Sequence, residues 1–207
     1  MIELFISAFV TLFVVIDPPG CAPIFAGLTR DAQSSHRRSM AVRSVVIAAL
    51  ILLFFGLLGE PLLRVLGITL AAFRIAGGIM LFLIALEMVF EKRTARREER
   101  AHEVSASGRH DDISVFPMAM PMIAGPGSIA SVMLLTARSH GTEQTFVVLA
   151  AMAANLLLTL VALIAAGTML KIVGQKVEAT ITRLLGVILA ALAVQFVIDG
   201  IGVSFNV

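Results

Sequence analysis

Six stretches of this chain are each long and apolar enough to cross a lipid bilayer, which leaves few folds open. They cover residues 2–28, 42–63, 68–90, 115–135, 146–170 and 181–203. About 20 apolar residues are needed to span the hydrocarbon as a helix. The runs are continuously apolar rather than alternating, which argues against barrel strands. A helix satisfies every backbone group within its own segment, as lipid requires. The expectation is therefore an all-α membrane protein with six transmembrane helices, and residues 1–207 form a single transmembrane domain. Hydrophobic residues make up 58% of the 207 positions and charged ones only 14%, so no soluble domain fits between the runs. The first run has Glu3 as its only early charge and no basic leader. Pro18-Pro19-Gly20 before Cys21 is a poor lipoprotein cleavage site, so the run reads as a retained helix. With one cysteine no internal disulfide forms, and with neither Tyr nor Trp the interfacial aromatic belt is made without them.

Charge orients the helices. Thirteen of the 16 Lys and Arg fall in the connections after the first, third and fifth runs. The other side has Arg64 and Arg138, and Arg74 lies within the third run. The positive-inside rule puts the basic connections in the cytoplasm and both termini outside. The longest connection, residues 91–114, contains His102, His110, Asp111 and Asp112. No metal-ligand spacing stands out there, so it reads as a solvated cytoplasmic loop, with no metal and no cofactor. The small net charge of +2, with its basic residues in short clusters, suits a membrane surface rather than nucleic acid.

The two halves resemble each other. At a shift of 107 residues Pro19-Gly20 falls on Pro126-Gly127, Thr29 on Thr136, and Leu63-Arg64 on Leu170-Lys171. After a two-residue insertion Arg74 falls on Arg183 and Gly77 on Gly186. Three landmarks in order, with one small indel, predict an internal repeat: about 1–90 and about 115–207, joined by the loop 91–114. Each repeat holds three helices, and an odd number inverts the second half in the membrane, a plan common among secondary transporters.

Both repeats open with a helix that the sequence breaks. Asp17-Pro18-Pro19-Gly20, with Pro23 beyond, interrupts the first; Pro117, Pro121 and Gly125-Pro126-Gly127-Ser128 interrupt the fourth. At about 1.5 Å per residue both breaks lie deep in the membrane, roughly 22 Å and 15 Å along their helices. Each break predicts a half-helix N-terminus facing the protein centre, where free N–H groups and the dipole favour a carboxylate. Paired broken segments are the sequence signature of a transport site. The candidate substrate site is therefore Asp17, Pro18, Pro19, Gly20, Pro23, Gly125, Pro126, Gly127 and Ser128. Asp17 either caps the second half-helix or also binds a substrate ammonium, a cation or a proton. An ionised cap would weaken anion binding at the same dipole. Thr29, Arg74, Thr136, Asn155 and Arg183 are further candidate polar contacts, with snorkelling or interhelical hydrogen bonding as the alternative reading. Glu87 and Asp199 read as interfacial, and Gly77, Gly78 and Gly186 as helix-packing positions.

The stretches DPPGCAPIFAGLT, PMAMPMIAGPGSIASVMLLT and RIAGGIMLFLIAL together resemble the MarC family of multi-pass bacterial inner-membrane proteins. The resemblance covers nearly the whole chain. It implies a carrier, similar to small neutral amino acid transporters and to small-solute exporters, with Asp17, Gly20, Pro23, Gly125, Pro126 and Gly127 as motif positions. The loop 91–114 looks more charged than the family needs. No phosphate-binding loop of the G-x-x-x-x-G-K-[ST] form occurs, so the drive expected is secondary, with H+ or Na+ as coupling ion. An intramembrane enzyme is disfavoured: no H-E-x-x-H or G-x-S-x-G motif appears, and Ser128 has no obvious base. A channel would use the same broken helices without alternating access, and a non-transporting scaffold would tolerate Asp17→Asn. With three helices in each half, a homodimer is an open expectation.

Overall fold

A computed structural model describes residues 1–30, 32–92, 96, 99, 112–139 and 141–205, with the backbone alone for 167–179. The described residues form helices and contain no strand. In chain order these are α1 (Ile2–Ile16), α2 (Pro18–Leu28), α3 (Ser34–Val65) and α4 (Leu70–Val89). A segment of wide turns, Ser114–Ile123, follows, interrupted by extended backbone at Phe116 and Met120, then α5 (Pro126–Ala137) and α6 (Thr142–Phe205). His102, His110 and Asp111 of the long connection lie outside the described residues.

Five stretches are long and apolar enough to span a membrane, and the bent pair Ser114–Ile123 plus Pro126–Ala137 makes a sixth. That pair bends by 53°, whereas Ile2–Leu28 reads as one 27-residue span despite its break. The turn expected between the fifth and sixth runs is not set off as an element. Helical backbone continues through residues 171–180, which contain no proline and several strong helix formers. The two apolar arms of α6 are Thr142–Ala166 and Thr180–Phe205.

The arms pack into different cores. Val148, Ala151, Leu156 and Leu163 of the first arm join Leu12, Ile16, Phe25 and Leu52 around the first break. Leu189, Ala193 and Phe196 of the second join Val14, Val15, Leu81 and Leu134. Lipid gives helices no hydrophobic drive to associate, so close packing of small residues takes its place. The second arm runs antiparallel to α4 along such a seam. A Cβ on Gly186 would lie 3.1 Å from the Ala85 carbonyl, one on Gly78 2.8 Å from that of Ala193, and one on Gly200 2.9 Å from that of Ala71. This seam fixes the rotation of α4 and so decides which of its side chains face α5.

Candidate functional site

The first break seals itself. Asp17 takes the left-handed conformation (φ 59°, ψ 64°), closes α1 by donating its N–H to Phe13 O, and accepts Cys21 N–H on its carbonyl. An α-helix starts with N–H groups that have no partner within the helix. Here Pro18 and Pro19 have no N–H to leave unmet, and the Asp17 carboxylate accepts the third, that of Gly20, at 3.2 Å. The Cys21 thiol lies 3.4 Å from the Ile16 carbonyl, which the break would otherwise strand. Asp17 is only 2% exposed. A Cβ on Gly20 would lie 2.3 Å from the Asp17 carboxylate, so glycine here makes room for the cap. Pro23, inside α2, is half-buried.

The second break stays open. Pro126 is the first residue of α5, and Gly125 before it provides no side-chain cap. The N–H groups of Gly127 and Ser128 therefore lack an acceptor from their own helix. Gly125 is required by close approach: a Cβ there would stand 2.3 Å from the backbone carbonyl of Pro121. No capping side chain fits at this position. Gly125, Pro126, Gly127 and Ser128 line a cavity of about 380 Å³, whose wall also includes Val15 of α1 and Glu87 of α4. The predicted site residues thus divide. Those of the second break surround this cavity; Asp17 is not among its lining, and the first break contributes Val15.

Of the remaining candidates, Thr29, Thr136, Asn155 and Arg183 have structural partners. Thr29 and Thr136 each donate a hydroxyl to the carbonyl four residues back, Phe25 O at 2.7 Å and Val132 O at 2.9 Å. Thr136 also lines a separate cavity of about 520 Å³ with Glu60 and Arg64. Asn155 ties α6 to α1 by donating its amide to Phe9 O at 3.0 Å, an interhelical hydrogen bond. Arg183 pairs with Glu91 just past α4. Arg74 is half-buried, and its Nε has no hydrogen-bond partner. Burial pushes the Arg138 guanidinium below its ordinary pKa, and the charge of Arg74 adds to that. Arg138 pairs with Asp199, whose other oxygen accepts from Gln195 at 2.7 Å, and stacks over Phe196 at 4.4 Å. Asp199 therefore belongs to a cross-helix cluster.

Glu87, read from the sequence as interfacial, also lines the cavity, which sequence reasoning did not anticipate. Its side chain is 25% exposed and pairs with Arg96. A signal existed: Met80, Ile84 and Glu87 fall on one helical stripe. Ile84 already touches α5, since its Cδ1 would lie 2.5 Å from a Cβ on Gly127.

The sequence model for the MarC family of integral membrane proteins matches residues 2–205. A UPF0056 membrane protein of Methanocaldococcus jannaschii is 38% identical over 200 residues, covering 97% of each chain. The UPF0056 inner membrane protein YhgN of Escherichia coli K12 is 34% identical over 200 residues, covering 95% of each. YvbG, a UPF0056 membrane protein of Bacillus subtilis, is 33% identical over 207 residues, covering 100% of this chain and 98% of its own. No solved structure matches.

Proposed function

The chain belongs to the MarC family of integral membrane proteins, and on that premise we propose that it is a secondary transporter of small neutral amino acids or similar small zwitterions. Export falls within this reading, and the role is that of a carrier rather than an enzyme. One observation carries this reading. An uncapped half-helix start lines a cavity of about 380 Å³, large enough for a small amino acid. Free N–H groups and a positive dipole end suit a carboxylate.

Two inverted repeats underlie the reading. The pairing of the breaks and of the back-bonded Thr29 and Thr136 supports them. In structure, α2 starts at Pro18, one residue ahead of its counterpart in the register that aligns Pro19 with Pro126. Positive-inside reasoning sets both termini on the periplasmic side of the inner membrane and turns the Glu87 end of the cavity to the cytoplasm.

The test is uptake of labelled alanine into proteoliposomes, with and without a pH or Na+ gradient. Saturable uptake, competed by glycine and serine, is expected. Absence of uptake of all three by folded protein under every gradient would refute the reading.

A further inference from the structure

The cavity that the α5 start lines includes one acidic side chain, Glu87, and that side chain is already paired with a cation of the protein itself. Glu87 stands one helical turn beyond Ile84, the residue that packs on Gly127. Its carboxylate pairs with the guanidinium of Arg96, nine residues further on, and both line the cavity. Arg96 is the more exposed of the two, at 56% against 25% for Glu87, so it sits on the solvent side of the pair.

We propose that Glu87 is the ammonium site of the transporter and that Arg96 is a tethered plug which the substrate's ammonium displaces. This rests on the transport reading and deepens it. The lining carries opposite signs: the start of α5 at Gly127 and Ser128, with no side-chain cap, and the Glu87 carboxylate. A zwitterion satisfies both. A simple carboxylate is repelled by Glu87, and a simple amine meets the positive helix end. Exchange of Arg96 for the substrate's ammonium keeps a cation on Glu87, and the carboxylate that the substrate brings with it is met by the positive helix end. The assignment relieves Asp17 of the ammonium role, because its carboxylate caps Gly20.

Two measurements separate this proposal from the reading beneath it. In proteoliposomes, Glu87→Gln is expected to raise the KM for alanine about 10- to 100-fold, the range for losing a charged partner, with Vmax little changed. Glu87→Asp recovers most of that, and Arg96→Gln lowers the KM. Propionate and ethylamine compete weakly with the native protein. An unchanged KM in a Glu87→Gln protein that still transports would overturn the proposal and leave the reading standing. If the native chain carries none of alanine, glycine and serine, the reading fails, and the second measurement still decides on the plug. In a Cys21→Ala, Ser128→Cys background, modification by a cationic methanethiosulfonate reports access to the cavity. Arg96→Gln is expected to speed it about tenfold and Glu87→Gln to slow it by as much. Rates that ignore both substitutions would show that this pair neither closes nor charges the cavity.

Discussion

Asp17 is the residue on which capping and transport make different demands, and three variants separate them. It sits in the left-handed region with its carboxylate on Gly20 N–H, 2% exposed. Asn tolerates that backbone region and keeps an acceptor oxygen where the carboxylate stood, but has no charge. Ala keeps the Cβ that Asp17 already holds in the left-handed region but loses the cap, about 0.5–2 kcal/mol. The expected losses are therefore within about 0.5 kcal/mol for Asp17→Asn and about 1–2 kcal/mol for Asp17→Ala. Asp17→Gly loses the same cap but sheds the left-handed Cβ strain, so it destabilises less than Ala. For a chain of this length 1 kcal/mol moves the melting temperature by about 2–4 °C, so Ala lowers it by roughly 2–8 °C. The protein lacks Trp and Tyr, so the assay is circular dichroism at the helix band in detergent. If Asn destabilises as much as Ala, charge rather than capping holds the break, and the reasoning fails. If Asn melts normally yet abolishes uptake, Asp17 has a role in transport beyond the cap.

Three further outcomes follow from the same geometry. Gly125→Ala drives a Cβ to 2.3 Å from the Pro121 carbonyl, and the overpacking loss, about 1–3 kcal/mol, is read from the same melting curve. The Arg138–Asp199 pair ties the end of α5 to α6, so a double-mutant cycle with Arg138→Gln and Asp199→Asn yields a coupling of at least about 0.5 kcal/mol. Additive effects would mean the two side chains act separately. Asp112 is held below the ordinary carboxylate value of 3.8, chiefly by the Ser114 hydroxyl, with further help from the Ser114 N–H and Arg43. A depressed folded pKa adds stability above the unfolded value and loses it as pH falls through the folded one. Melting temperature should therefore drop on acidification below about pH 4 in the native protein, and drop less in Asp112→Asn.

Much of this was legible because it is local. Helix count follows from apolar length, and both breaks follow from proline and glycine, which act on their own backbone. The Asp17 cap follows from a short carboxylate placed before two prolines. What escaped depends on residues far apart in the chain. The Arg138–Asp199 pair joins positions 61 apart, and nothing in either segment announces the other. Glu87 read as interfacial because it lies near a helix end. Its facing is decided by the glycine seam of α4 with α6, which turns Gly78 to one side and Ile84 with Glu87 to the other.

The two breaks also differ in a way that motif similarity conceals. Each half-helix begins with a proline, but the residue before it is Asp17 in one and Gly125 in the other. The second helical position is Pro19 in one and Gly127 in the other. The first pair of choices removes or satisfies every early N–H. The second leaves two of them unmet by their own helix, and the Pro121 carbonyl forbids a side chain at Gly125 that would cap them. Buried N–H groups left unmet cost free energy until something in the cavity accepts from them. A chain that served only as a scaffold would gain stability from sealing both breaks as it seals the first. Leaving one start uncapped, against a wall that carries Glu87, is the arrangement a binding site requires.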